Sequence, residues 1–239
     1  MKKSQIFATT LVGLIFLISL GFATSNNYFP GVQDQIPVDK FSSISVSVPA
    51  TVYVEIGNKH SLDIKADKSV IEKLEIKVSN DELIISKKDK SFKIKDKLEI
   101  HITAPKIEGV SVAGSADVLA EKSFPADELV LKIAGSGTIM FNDLKADELE
   151  VKIAGSGDVV LKGSGANEME ISIAGSGNVE SLEFEVHELS AKISGSGDCK
   201  VFVTGELNAT IAGSGSVKYK GSPEVNSTVS GSGTVSTMK

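Results

Sequence analysis

The sequence predicts an all-β chain wound as a solenoid, and three observations carry that expectation. The triplet Gly-Ser-Gly, or a close variant, recurs seven times at a step of 18–21 residues between Ser111 and Lys239. A strict apolar–polar alternation precedes each copy, the period of a strand with one buried face. Equivalent positions also repeat the same residue type, so consecutive copies laid over one another form columns of like side chains, as the coils of a solenoid require.

The chain has 239 residues. Its start, "MKKSQIFATTLVGLIFLISLGFATS", sets two lysines before an apolar run from Ile6 to Ala23, with Gly21 and Ala23 at the end. This is the pattern of a secretory signal, so residues 1–23 are expected to be removed on export. Without cleavage the same segment is close to the shortest membrane span. No later stretch is apolar enough to cross a bilayer, and no cysteine follows the run to carry a lipid. Residues 24–40, polar and holding Pro30, Gly31 and Pro37, read as a linker. From Phe41 the segments "ISVSVPATVYVEIG", "SLDIKAD", "LEIKVSNDELIIS" and "FKIKDKLEIHITAP" all alternate, and none carries the glycine corner. Residues 41–110 are therefore either less regular coils or a cap over one open end, which bare edges require against aggregation. The stretch "KKDKSFKIKDK" from Lys87 to Lys97 holds six lysines and reads as a solvated hairpin with edge-protecting charge, or else as a basic patch for acidic glycans or lipid headgroups.

Residues 111–239 form the regular repeat. The first glycines are Gly114, Gly135, Gly155, Gly175, Gly195, Gly213 and Gly231, with steps of 21, 20, 20, 20, 18 and 18 residues. The second glycines are Gly137, Gly157, Gly177, Gly197, Gly215 and Gly233, and the first copy has Ala116 there. Ahead of the corner the inward column reads Val112, Ile133, Ile153, Ile173, Ile193, Ile211 and Val229; behind it, Ile139, Val159, Val179, Cys199, Val217 and Val235. Cys199 occupies an aliphatic slot, so a buried, inert thiol is expected. Seven coils at the inter-strand spacing would stand about 35 Å tall. At the C-terminus Ala209, Ser227 and Thr237 replace Ile and Leu, which suits a last coil facing water.

Gly-Ser-Gly is then a corner, where glycine permits positive φ and lets successive corners stack closely. Other uses of the motif fail on pattern. A dinucleotide fingerprint needs a third glycine and a helix, whereas "GSGDVV" runs into a strand. A calcium-binding nonapeptide coil needs oxygen ligands at each turn, yet the column after the corner reads Asp117, Thr138, Asp158, Asn178, Asp198, Ser216 and Thr234, and half of these are poor ligands.

Composition narrows the function. Net charge is −6, or −8 once Lys2 and Lys3 leave with the signal, and no arginine is present, so nucleic acid is not an expected partner. His60, His101 and His187 follow no ligand spacing and no histidine column accompanies the corner serines, so neither a metal centre, a cofactor site nor a catalytic set is expected. One feature stands apart. An acid precedes each inward Leu column: Glu128, Glu148, Glu168, Glu188, Glu206 and Glu224, themselves preceded by Asp127, Asp147, Asn167, His187, Gly205 and Pro223. Two carboxylates stacked 4.8 Å apart repel by about 0.9 kcal/mol even in bulk water. Such a ladder is expected either to accept backbone N–H bonds at a second corner, or to form a weak cation- or partner-binding stripe of Asp127, Glu128, Asp147, Glu148, Glu168 and Glu188.

The opening "FSSISVSVPATVYVEIG", the junction "KLEIHITAPKIEGVSVAGSADV" and the serial "GSGDV" corners together resemble the bacterial auto-transporter adhesin head GIN domain family over about residues 41–239. The resemblance implies a right-handed parallel β-helix of the kind seen in pectate-lyase-like folds, and an adhesin-like role. The chain as written has no C-terminal barrel, so self-export as an autotransporter is not expected. The expected product is an exported, non-enzymatic module, periplasmic, secreted or at the cell surface. Its partner would be a surface glycan or protein, and its only membrane contact an uncleaved N-terminal segment. The competing expectation is a carbohydrate-binding or carbohydrate-active β-helix, weakened by the absence of Trp and a total of three Tyr.

Overall fold

The structure, a computed structural model, describes residues 32–89, 91–94 and 97–238; the expected signal, residues 1–23, lies outside them. The strands in chain order are β1 (Val32–Ile36), β2 (Ser43–Val46), β3 (Thr51–Ile56), β4 (Ser61–Ala66), β5 (Leu74–Ser79), β6 (Glu82–Lys87), β7 (Glu99–Ala104) and β8 (Gly109–Gly114). They continue with β9 (Asp117–Gly135), β10 (Thr138–Gly155), β11 (Asp158–Gly175), β12 (Asn178–Gly195), β13 (Asp198–Gly213), β14 (Ser216–Lys220), β15 (Glu224–Gly231) and β16 (Thr234–Thr237). A short helix, α1 (Lys68–Ile71), links β4 to β5. Among the described residues no helix is long and apolar enough to cross a membrane.

These strands wind into a β-solenoid of about six turns. From β9 to β13 each long strand is one coil, paired in parallel with the coils before and after it. The sequence columns are true register columns: Ile153 lies opposite both Ile133 and Ile173, and Gly155 opposite both Gly135 and Gly175. Alternation then directs every second side chain inward. Val112, Ile133, Ile153, Ile173, Ile193 and Ile211 are buried, as are Ile139, Val159, Val179, Cys199 and Val217. Phe124 and Phe141 meet edge to face inside, with ring centroids 4.8 Å apart. No disulfide involves Cys199, which is free and buried; burial, helped by the charge of Asp198, pushes its thiol pKa up to about 12.

Both glycines of a corner leave no room for a Cβ against the preceding coil, from Gly135 and Gly137 onward. The first glycine of each corner has positive φ, as at Gly155 (130°). The second does not, and its need for glycine is steric: a Cβ on Gly157 would lie 2.5 Å from Ile133 Cγ2 and 2.7 Å from the Gly137 carbonyl oxygen. The corner serines donate their backbone N–H to the first glycine's carbonyl of the preceding coil, as Ser156 does to Gly135 at 2.8 Å, so the corners form a continuous hydrogen-bond ladder.

The N-terminal strands contain both of the architectures open in the sequence. Parallel pairing of β2 with β8 and of β3 with β9 and β7 continues the coils, and the corner is there made by Ser47, Val48, Pro49 and Ala50 without glycine. The strands β1, β4 and β5 instead pair antiparallel, β1 with β4, β4 with β7 and β5 with β6, which ends the parallel stacking. Two expectations need correction. The segment read as a linker, residues 24–40, includes strand β1. The lysine-rich segment does not form the expected hairpin: β6 finds its antiparallel partner in β5 upstream, and residues 88–89, 91–94 and 97–98 carry no strand. There Lys88 Nζ donates to the Glu72 carbonyl at 2.8 Å and Lys73 Nζ lies 4.1 Å from the Phe92 ring centroid, so these charges fasten the loop to the end of the solenoid.

At the other end β15 pairs with β13 and β16 with β14. Val229, last of the Ile column, is 41% exposed, and Ser227 and Thr237 face solvent, as their polar character requires.

Candidate functional site

A regular coil offers its outward columns as functional surface. The glutamates form one of them: Glu148 lies opposite Glu128 and Glu168, Glu188 opposite Glu168 and Glu206, and Glu206 opposite Glu224. Register puts them in line, and each precedes an inward residue (Leu129, Leu149, Met169 or Leu189), all four buried. Glu128, Glu148, Glu168 and Glu188, with Glu150 and Glu170 on the adjoining outward column, line a shallow cavity of about 430 Å³.

The stripe is less uniform than the sequence suggests. The backbone N–H bonds expected for the glutamates are absent among the described residues, because parallel pairing already engages the backbone of these strands, and the four carboxylates point to solvent. Asp127 is tied to Lys106 at 3.4 Å, and the same lysine reaches Glu108 at 2.9 Å, so Asp127 does not act as a free ligand beside Glu128. Among the described residues Asp147 has no such partner. One column away the charges alternate and pair: Lys152 with Glu150, and Lys192 Nζ with Glu170 Oε1 at 3.3 Å. Among the described residues no three carboxylate, histidine or cysteine side chains converge as a metal centre would need. The carboxylates line up, which gives a field and a recognition surface rather than a coordination shell.

The column behind the corner behaves differently. Asn178 Nδ2 donates to Asp158 Oδ1 at 2.8 Å, Asp198 N donates to Asn178 Oδ1 at 3.3 Å, and Ser216 donates both its N–H and its hydroxyl to Asp198 Oδ1 at 2.9 and 2.6 Å. This ladder satisfies itself coil by coil and is structural.

The histidines hold separate positions. His60 Nε2 lies 3.0 Å from the Phe41 carbonyl, and His101 Nε2 lies 2.5 Å from Glu99 Oε1 and 3.2 Å from Lys65 Nζ, its ring stacked on Tyr53. His187 sits on the column preceding the glutamates, its ring over Gly205, where any Cβ would lie 2.5 Å from Cε1. Missing from the sequence reading is a second, off-column Gly-Ser-Gly at Gly163–Ser164–Gly165 in β11. Both glycines have positive φ, and the register with β12 slips between Lys162 and Ala166. A triplet out of step with the repeat by eight residues (Gly155 to Gly163) was the available signal.

With this geometry in hand, comparison with known proteins is decisive at the family level. The family model described as "Putative auto-transporter adhesin, head GIN domain" matches residues 40–223. The chain belongs to this family. No curated protein matches it. Among solved structures, a putative adhesin from Bacteroides fragilis is similar at 29% identity and a TM-score of 0.82, covering 87% of this chain and 97% of that one. A putative adhesin from Parabacteroides merdae follows at 26% identity and 0.68, covering 87% and 96%. A protein from Parabacteroides distasonis described as a putative lipid binding protein shares the fold at 22% identity and 0.70, covering 87% and 97%.

Proposed function

We propose that this chain is an exported, non-enzymatic adhesin-like module that presents its outward columns to a partner at the cell surface. The observation that carries the reading is the exact register of the outer face: Glu, Lys and Ala columns repeat from coil to coil on a rigid, buried aliphatic interior. Such a surface offers the same small set of groups many times, so weak contacts sum along an extended partner. Membership in an adhesin family and likeness to structures described as putative adhesins support it. The separate surroundings of the three histidines support binding over chemistry, since among the described residues none is hydrogen-bonded to a serine, threonine or cysteine side chain as a nucleophile–base pair would be.

The test is an array of surface glycans and extracellular proteins, probed with the mature chain and with an unfolded control. Saturable binding to one class by the folded chain alone supports the reading; binding of neither class removes it.

A further inference from the structure

We propose that the cavity beside the off-column Gly-Ser-Gly is a saccharide subsite, taking one neutral pyranose unit of a glycan; this rests on the surface-binding reading above. The cavity, about 390 Å³, opens where coils β10 to β13 meet and is lined by Lys145, Asp147, Ser164, Asn167, His187 and Thr204, with the carboxylate of Glu185 at its side.

Three observations set it apart from the rest of the surface. The first is chemical variety. Columns that shape the coil repeat one residue type, as Ile, Gly and Glu do here, because like side chains stack. The column Asp127, Asp147, Asn167, His187, Gly205 changes at every coil from Asp147 onward, and its three central members meet in this cavity. Stacking does not explain that variety, whereas recognition of a ligand with several different groups does.

The second is the backbone. Gly163 lies opposite Leu144, which lies opposite Phe124, so the bulge removes a core side chain that the two preceding coils supply. Gly163 and Gly165 have φ of 140° and 110°, and a Cβ on either would overlap a neighbouring carbonyl, of Leu144 and of Glu185. Gly205 likewise admits the His187 ring. The coil departs from its repeat at the place where the polar groups gather, which is how irregular backbone is used at binding sites.

The third is that these groups are uncommitted. In the ladder of Asp158, Asn178, Asp198 and Ser216 the side chains bond one another. In the cavity, among the described residues, Lys145, Asp147, Ser164, Asn167, Glu185 and His187 form no hydrogen bond or ion pair, and Thr204 makes a single 3.4 Å bond to the Val186 carbonyl. A set of carboxylate acceptors, ammonium and amide donors and hydroxyls around one hollow matches the alternating donors and acceptors of a sugar ring's hydroxyls. Ala166 and the His187 ring supply the apolar contact for its C–H face. A free anion is disfavoured, because Asp147 and Glu185 outnumber Lys145.

The experiment is titration of the whole chain with methyl pyranosides of galactose, mannose, fucose and N-acetylglucosamine, followed by calorimetry and by ligand-observed NMR. One sugar of the panel should bind in the millimolar range, and Asn167→Ala and Asp147→Asn should each weaken it about tenfold, the loss of one good hydrogen bond. Both positions are exposed, so circular dichroism should be unchanged; Ser216→Ala, in the saturated ladder, should bind as wild type. Equal binding by wild type and both cavity variants overturns the subsite while leaving surface binding intact. Binding of array proteins with no response to any glycan or pyranoside also overturns it, and no binding to array or sugars removes both readings.

Discussion

Gly114 and Gly155 occupy the same place in the first and third corners and share positive φ, 111° and 130°, yet their surroundings differ. A Cβ on Gly155 would overlap the Gly135 carbonyl oxygen and lie 3.2 Å from Gly135 C and N. Around a Cβ on Gly114 nothing lies within 4 Å among the described residues, because the corner on its other side is the glycine-free Ser47–Ala50 turn. Gly114→Ala therefore costs the backbone strain alone, about 1–2 kcal/mol. Gly155→Ala adds the displacement of a backbone carbonyl that also accepts the Ser156 N–H, about 1–3 kcal/mol more by the scale of overpacked cores. Both variants gain the same roughly 0.4–1 kcal/mol from a stiffer unfolded chain, so this term cancels between them. Urea titration reads the difference. With m of about 2–3 kcal/mol/M, the Gly155→Ala midpoint should lie roughly 0.3–1.5 M below that of Gly114→Ala at unchanged m. Equal midpoints would refute the assignment of the first glycine to close stacking and leave φ as its sole role.

Other substitutions probe the remaining parts. Gly155→Val should lower the thermal midpoint well below that of Lys152→Ala, whose side chain is exposed and pairs with Glu150. Ile173→Asp, at a position only 2% exposed, should abolish the cooperative transition seen by circular dichroism, since it buries a charge with no partner. Cys199→Val should be near neutral at pH 7 and more stable than wild type at high pH. The folded thiol, raised to about 12, stays protonated while the unfolded thiol ionises above about 8.5, so wild-type stability falls between those values and the variant lacks that part of the fall. Native Cys199 should also resist alkylation at pH 8 until urea unfolds the chain. The pair Glu148→Gln, Glu168→Gln should raise the melting midpoint at low ionic strength, with the gain shrinking in salt. Millimolar calcium should raise the wild-type midpoint slightly and that variant's less, because aligned carboxylates bind divalent ions weakly.

The regular coils were legible because a repeat reports its own geometry. Ile133, Ile153 and Ile173 could be stacked on paper, and register stacks them. The position of Cys199 followed from the Val residues on either side of it in its column. The N-terminal end was legible only as strands. Alternation in "SLDIKAD" and "LEIKVSNDELIIS" says which side chains go inward but not whether a neighbour runs parallel or antiparallel, and β4 and β5 chose antiparallel. At the outer face the sequence supplied the glutamate column but not its partners. That Asp127 is held by Lys106, twenty-one positions earlier, depends on how β8 and β9 are joined. The cavity at Ser164 was hidden for the opposite reason: it exists because the coil abandons the repeat that made the rest readable.

The central claim is that this solenoid binds a surface partner and leaves it unchanged. The direct measurement is to capture the best array ligand on the immobilised mature chain, measure its saturation, elute it after prolonged contact and compare its mass with that of the input. Saturable binding with the ligand recovered intact is the predicted result. A shortened or altered ligand, or retention that never saturates, would contradict the account.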